Sequence, residues 1–193
     1  MIRVFVVDDH PAVRAGISTM LNAEPGLEFA GAAQDARQAL QSIGTVRPDV
    51  ALIDYKLPAE NGLVLCHRVK QLPHAPGVLI YTGLHHSSLG VAAAVAGANG
   101  VLTKTAAPDE LLDAIRLVAR GRIIMPAATA ERVRASAARL DPDDVPIFGM
   151  LMQHTPGTEI AATLKIDGEH LSSRVGRMLG RLVVDTTAPR SRV

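Results

Sequence analysis

Five short apolar runs alternate with five longer helical stretches over the first 120 residues, and this alternation constrains the fold most. The apolar runs are rich in β-branched residues, as buried strands are, and they lie at 2–7, 28–32, 50–53, 78–81 and 100–102. The helical stretches lie at 12–23, 36–43, 63–71, 88–96 and 108–120. The pattern predicts the α/β class, with a five-stranded parallel sheet that is doubly wound, with helices on both faces.

The composition limits where such a chain can work. Cys66 is the single cysteine, so no intrachain disulfide can form. No run of 18 apolar residues suggests a membrane span, and the N-terminus does not resemble a signal peptide. We therefore expect a cytoplasmic protein. The formal net charge is +1, so any basic surface that binds a polyanion must be local.

The last third of the chain has only helical patterns. Residues 121–139 are predicted to be a linker helix opened by Pro126, and helices are expected at 145–153, 158–164 and 169–182. We predict a receiver-sized domain at 1–120, a smaller all-α domain at 140–185 and a frayed tail at 186–193.

Five polar residues follow the ends of four predicted strands. They are Asp8, Asp9, Asp54, Thr82 and Lys104. The carboxyl ends of parallel strands form the ligand crevice of an open α/β sheet, so the spacing predicts that these side chains share one pocket. Each has an ordinary alternative, since Asp9 could cap a helix, Thr82 could end a strand and Lys104 could be a surface lysine. All five in this order are hard to explain by accident.

Three neighbouring carboxylates repel one another unless a cation offsets them. Mg²⁺ is the natural ion, because it binds through one or two carboxylates and phosphate oxygens and keeps several waters. A carboxylate held there can attack a phosphoryl group as a nucleophile. The ion and Lys104 would then neutralise the charge on the transferred group.

The motifs around these residues are specific. Val-Val-Asp8-Asp9-His-Pro, Asp54-Tyr-Lys-Leu-Pro-Ala-Glu-Asn-Gly62, Tyr-Thr82-Gly and Gly97-Ala-Asn-Gly-Val-Leu-Thr-Lys104 together resemble the receiver domain of two-component response regulators, a flavodoxin-like fold. The resemblance implies that Asp54 accepts a phosphoryl group from a histidine kinase. It also implies that Asp9, Asp54 and the backbone carbonyl of Lys56 bind Mg²⁺, that Asp8 assists through water, and that Thr82 and Lys104 contact the phosphoryl group.

Two further features near the pocket bear on signalling. The family has Tyr or Phe three residues before this lysine, and here that residue is Val101, so the usual aromatic part of the switch is absent. His85 and His86 follow Thr82 and could tune the lifetime of the phosphoryl group, or they could be ordinary solvated loop residues.

The C-terminal pattern combines an apolar face with a basic one. Leu171, Val175, Met178 and Leu182 recur at helical spacing, while Arg174, Arg177 and Arg181 are predicted to form an exposed basic stripe. The segment resembles the LuxR-type helix-turn-helix, and the whole chain resembles the NarL/FixJ class of response regulators. The resemblance implies DNA contacts by the recognition helix at Ser172, Ser173, Arg174, Arg177 and Arg181.

The recognition helix departs from the family pattern. Ser172 replaces the lysine that commonly reaches DNA, and Gly176 cannot contact a base with a side chain. Pro146 predicts that the preceding helix starts late or kinks. Several acidic residues dilute the positive field, so we predict weak or atypical DNA binding by the monomer.

Three functions remain open on the sequence. The first is a phosphorylation-controlled transcription factor that binds DNA as a homodimer. The second is a receiver linked to a protein-interaction module whose degenerate helix-turn-helix does not bind DNA. The third, an aspartyl-phosphate phosphatase, lacks a cap domain or substrate pocket, so we do not expect an enzyme with its own substrate.

Overall fold

A computed structural model describes residues 1–83, 89–125 and 128–183. Five parallel strands form one sheet in the order β2-β1-β3-β4-β5, which confirms the predicted α/β sheet. The strands are β1 (Ile2–Val7), β2 (Leu27–Ala33), β3 (Val50–Asp54), β4 (Gly77–Thr82) and β5 (Gly100–Thr103). The strand order reverses direction between β1 and β3, where sheets of this type open their crevice.

The helices that follow the strands begin and end close to the predicted positions. They are α1 (Pro11–Ala23), α2 (Ala36–Val46), α3 (Gly62–Val69), α4 (Leu89–Val95) and α5 (Pro108–Ala119). Asn61 caps α3, because its side chain accepts hydrogen bonds from the N–H groups of Leu63 and Val64. Gly121 lies just past the end of α5 with φ of 75°, a left-handed conformation that glycine adopts without strain.

Side chains alternate along the strands between two buried clusters. Val4 and Val6 of β1 pack with α1 and α5 on one face of the sheet. Phe5 and Val7 point to the other face, where α2, α3 and α4 lie. The sheet is therefore buried on both sides, as the continuous apolar strands predict.

The linker is less helical than predicted. Helix α6 covers only Ala130–Ala137, with Thr129 as its N-cap, so the prediction of a helix across 121–139 was wrong in extent. Ile124 instead forms a bridge with Gly100, which holds the start of the linker against β5. Pro126, which was expected to open the helix, lies outside the described residues.

Three helices follow the linker, as predicted. A 3₁₀ turn at Pro142–Asp144 leads into α7 (Val145–Met152), and α8 (Gly157–Leu164) and α9 (Gly168–Leu182) complete the unit. Pro146 lies in the first turn of α7, where a missing N–H costs little, so the predicted late start is confirmed. The predicted tail at 186–193 lies outside the described residues. Among the helices described, none has the length and apolar character needed to cross a membrane.

The C-terminal helices dock on the receiver. Helix α9 packs against α3 and α4, and α6 and α7 also pack against α4. The sequence of α4, Leu-Gly-Val-Ala-Ala-Ala-Val, has no polar face, and a helix that is apolar all round must be covered on all sides. One apolar cluster therefore continues from the sheet through α4 into the C-terminal helices.

Candidate functional site

The predicted acidic residues meet at the carboxyl ends of β1 and β3. Asp8 and Asp9 directly follow β1, and Asp54 is the last residue of β3. The carboxylates of Asp8, Asp9 and Asp54, together with a ring nitrogen of His10, offer ligand atoms within 4.8 Å of one another. Asp8 is 2% exposed and Asp54 is 4% exposed, so two negative groups are held almost out of water.

Lys104 supplies the positive charge that this pocket needs. Its Nζ donates to Asp8 Oδ2 at 2.6 Å and to Asp54 Oδ2 at 2.8 Å. Burial alone would lower the pKa of Lys104, but the hydrogen bonds to Asp54 and Asp8 outweigh it and hold that pKa above its ordinary value. The ammonium group therefore stays charged between the two carboxylates.

Burial and hydrogen bonding act in opposite directions on the carboxyl group of Asp54. Burial raises the pKa of Asp54, while the hydrogen bond from Lys104 offsets part of the rise. The backbone N–H of Lys56 also donates to this carboxylate. A carboxylate that is desolvated and held by two donors is fixed in one orientation, which is what a nucleophile requires.

Thr82 and Lys104 are joined through the backbone at the ends of β4 and β5. Thr82 is the buried last residue of β4, and its carbonyl accepts a hydrogen bond of 2.8 Å from the N–H of Lys104. The ends of β4 and β5 are therefore connected by a backbone hydrogen bond beside the pocket. His85 and His86, the other polar residues singled out nearby, lie outside the described residues.

His10 was missed as a member of the cluster. Its Nδ1 lies 2.7 Å from Asp9 Oδ1 and 3.2 Å from Asp8 Oδ1. Asp9 therefore pairs with this imidazole and does not cap α1, whose N-cap is His10 without a side-chain cap bond. The signal was present in the sequence, since His10 directly follows the two aspartates.

The start of α3 packs closely against the backbone of Asp54, the candidate nucleophile. Gly62 donates its N–H to the carbonyl of Tyr55 at 2.7 Å, and a Cβ at position 62 would lie 2.0 Å from the backbone oxygen of Asp54. Only glycine fits so close an approach. Helix α3 thus runs from the pocket toward α9 at its other end.

Comparison with known proteins decides the family. Residues 4–116, more than half of the chain, match the family described as "Response regulator receiver domain". The chain belongs to the response regulators. The resemblance drawn from its motifs is confirmed.

Relatives of this response regulator span nearly its whole length. It is 30% identical over 192 residues to the "DNA-binding transcriptional activator DevR/DosR" of Mycobacterium tuberculosis, covering 94% of this chain and 88% of that protein. It is 26% identical to the "Nitrate/nitrite response regulator protein NarL" of Escherichia coli, covering 93% and 88%. A crystal structure of a two-component response regulator of the LuxR family from Aurantimonas superposes with a TM-score of 0.61 at 32% identity, covering 70% of this chain and 97% of that one.

The predicted DNA-contacting residues of α9 fall into two groups. Ser173, Arg177 and Arg181 are exposed, whereas Ser172 is half-buried. Arg174 is only 15% exposed on its side chain, because its Nε donates to Asp144 Oδ1 at 2.7 Å and its Nη2 to the carbonyl of Asp143. The prediction that Arg174 belongs to an exposed stripe was wrong, since the acidic turn before α7 folds over it.

Arg181 is also paired within its own domain. Its Nη1 lies 2.5 Å from Asp141 Oδ2, and this hydrogen bond lowers the pKa of Asp141. Arg177 donates a hydrogen bond to the hydroxyl of Ser173 at 3.2 Å, and its charge also helps to lower the pKa of Asp141. Of the three predicted arginines of α9, Arg177 is the one without a direct ion pair to a carboxylate among the described residues.

A cavity of about 310 Å³ lies between the receiver and the C-terminal helices. Its walls include His67 of α3, Val95 of α4, His154 before α8, and Leu171 and Val175 of α9. His67 is buried there, with its Nε2 2.9 Å from the side-chain nitrogen of Gln71. Burial lowers the pKa of His67 to about 4.

The folded protein should therefore lose stability in acid. A protonated His67 is favoured in the unfolded chain, where the pKa is near its ordinary value of 6.5. The stabilisation is full above pH 6.5 and is lost progressively as the pH falls toward 4. Between pH 7 and pH 5 we expect His67 to reduce the free energy of unfolding by about 2 kcal/mol.

Urea unfolding of the wild type and of His67→Gln at both pH values measures this effect. The wild type should lose about 2 kcal/mol more than the variant, because glutamine does not titrate. Equal losses in the two proteins would show that His67 is not buried in solution.

Proposed function

We propose that this response regulator accepts a phosphoryl group on Asp54 from a histidine kinase in the cytoplasm and controls transcription through DNA contacts of its C-terminal helices. The observation that carries the proposal is the ammonium of Lys104, which bridges Asp8 and Asp54 at the strand-order reversal of the sheet. The match of residues 4–116 to the receiver family supports the same reading.

The chemistry proposed for Asp54 is a simple displacement. A carboxylate oxygen of Asp54 attacks the phosphorus of a phosphohistidine, an O–P bond forms and the N–P bond breaks. The leaving imidazole keeps the electron pair of the broken bond and takes up a proton. Lys104, already 2.8 Å from Asp54, is placed to neutralise the charge that gathers on the phosphoryl oxygens.

The donor set fits Mg²⁺. Asp8, Asp9 and Asp54 offer carboxylate oxygens within 4.8 Å of one another, and hard oxygen ligands are those that Mg²⁺ prefers. We propose that Asp9, Asp54 and the backbone carbonyl of Lys56 would hold the ion, with Asp8 acting through water. When bound, the ion supplies charge neutralisation at the phosphoryl oxygens.

We propose that docking of the C-terminal helices on the receiver represses DNA binding. With α9 packed against α3 and α4, the buried side of the proposed recognition helix faces the receiver. Phosphorylation at Asp54 would shift Thr82 and the start of α4, which follows β4 in the chain. A shift of α4 would loosen its packing against α6, α7 and α9 and favour a DNA-binding homodimer.

The half-buried Val101 limits how this signal can travel. It has no large ring that could move inward, and it packs against the same apolar cluster as α4. We therefore propose that α4 itself, rather than an aromatic side chain on β5, carries the change.

A second function is favoured by the pairing of Arg174 and Arg181 with acids of their own domain. Two of the three arginines expected at DNA are neutralised in the docked state. On this alternative, the C-terminal helices bind a protein and not DNA.

Selection of bound sequences from a pool of random DNA duplexes distinguishes the DNA-binding function from the protein-binding one. We expect the protein treated with acetyl phosphate and Mg²⁺ to enrich specific sequences, and Arg177→Ala to lower the affinity for them by about tenfold, since the lost arginine contact is typically worth about 1–3 kcal/mol. Arg37→Ala, an exposed arginine of α2, is the matched control. If no duplex is enriched, the protein-binding function replaces the DNA-binding one.

A further inference from the structure

We propose that the linker helix α6 is part of the nucleic-acid surface, where its arginines bind the phosphate backbone of duplex DNA beside Arg177. We call Arg132, Arg134, Arg139 and Arg177 the arginine strip. This inference rests on the proposed function and assigns a DNA-binding role to a helix outside the helix-turn-helix.

Charge is distributed unevenly along the C-terminal third. Residues 120–139 contain five arginines and one glutamate, a net charge of +4. Residues 140–183, which include the helix-turn-helix, contain six acidic and four basic residues, a net charge of −2. A helix-turn-helix that is negative overall attracts a polyanion poorly, because neutralisation of phosphates provides most of non-specific DNA affinity. The positive charge lies in the linker.

Two arginines of α6 form no ion pair with a described residue, unlike Arg174 and Arg181 of α9. Arg132 and Arg134 are exposed and form no ion pair within the described part of the chain. Arg174 and Arg181, by contrast, are held by Asp144 and Asp141. An arginine that must first leave a carboxylate gains less from a phosphate than one that is free.

One face of α6 is buried, and the arginines of this helix lie on its exposed half. The half-buried or buried residues of this segment are Val133, Ser136, Ala137 and Leu140, at the spacing of one helix face. Arg132 lies on one flank of the exposed half of α6, and Arg139 lies in the turn just past the helix. Arg134 lies on the opposite flank of the exposed half.

The strip continues onto α9. Arg139 Nη1 lies 3.4 Å from the carbonyl of Leu182, the last residue of α9. Arg177, five residues earlier, is on the exposed side of the same helix. The turn that follows α6 is thus adjacent to the end of α9, and we infer that a duplex lying along α9 would meet the arginines of the linker.

The test compares two double variants of the full chain with the same charge change. Arg132→Gln/Arg134→Gln removes two charges of the strip. Arg37→Gln/Arg47→Gln removes two exposed arginines from α2 and its C-terminal end, on the receiver. The probe is a fluorescent duplex of mixed sequence, titrated with acetyl-phosphate-treated protein at several salt concentrations.

We expect the strip variant to bind about tenfold more weakly at physiological salt, with the slope of log affinity against log salt smaller by about 2, and the control to bind as the wild type does. If the strip variant and the wild type bind DNA equally, the inference is wrong while the proposed function stands. If the wild type binds no duplex, both the inference and the proposed DNA-binding function are wrong. Tighter binding of the wild type to vesicles of anionic lipid than to DNA, with the same arginine dependence, also overturns the inference.

Discussion

Gly62→Ala is expected to destabilise the receiver by about 4 kcal/mol or more, near the upper end of single-substitution effects. The added Cβ would lie 2.0 Å from the backbone oxygen of Asp54 and 3.1 Å from a side-chain carbon of Ile53. Neither β3 nor the start of α3 can move away freely, because β3 lies inside the sheet and Gly62 N–H is bonded to Tyr55. Urea unfolding measures the loss.

Gly44→Ala is the matched control. Gly44 lies within α2, and a Cβ there meets nothing within 4 Å. Alanine should stabilise the protein by about 0.5–1 kcal/mol, because it has the higher helix propensity. A Gly62→Ala protein as stable as the wild type would contradict the described contact between α3 and β3.

Asp54→Asn is expected to abolish phosphoryl incorporation and to leave the fold intact. An amide is not a nucleophile toward phosphorus, so no O–P bond can form. Its oxygen can still accept the hydrogen bond that Lys104 Nζ now donates at 2.8 Å, and the substitution removes a carboxylate whose burial is unfavourable. The free energy of unfolding should therefore change by no more than about 1 kcal/mol.

Two assays separate these effects. Transfer of labelled phosphate from acetyl phosphate reports the chemistry, and urea unfolding reports the fold. Asp109→Asn, an exposed aspartate in the first turn of α5, is the control and should incorporate phosphate normally. Incorporation into Asp54→Asn at the wild-type level would assign the acceptor to another residue.

The sheet and the pocket were predictable from sequence for one physical reason. Parallel strands buried on both faces are continuous apolar runs, and their carboxyl ends lie at one edge, so linear order alone brings Asp8, Asp54 and Lys104 together. The distances among these groups, and the membership of His10, needed coordinates.

The C-terminal unit was predictable only in part. Helical periodicity located α7, α8 and α9, because the apolar spacing of a helix is local. The burial of Arg174 was not predictable, since it depends on Asp144 being folded against a helix 30 residues away. Docking on the receiver had a visible signal, the lack of any polar face in α4, but that signal does not identify what covers the helix.

Intact-mass analysis of the wild-type chain after exposure to acetyl phosphate and Mg²⁺, followed by fragmentation of the modified protein, tests the central claim most directly. We predict one added phosphoryl group per chain, located on the fragment that contains Asp54. An unchanged mass, or a phosphoryl group on any other residue, would contradict the assignment of this pocket as the phosphorylation site.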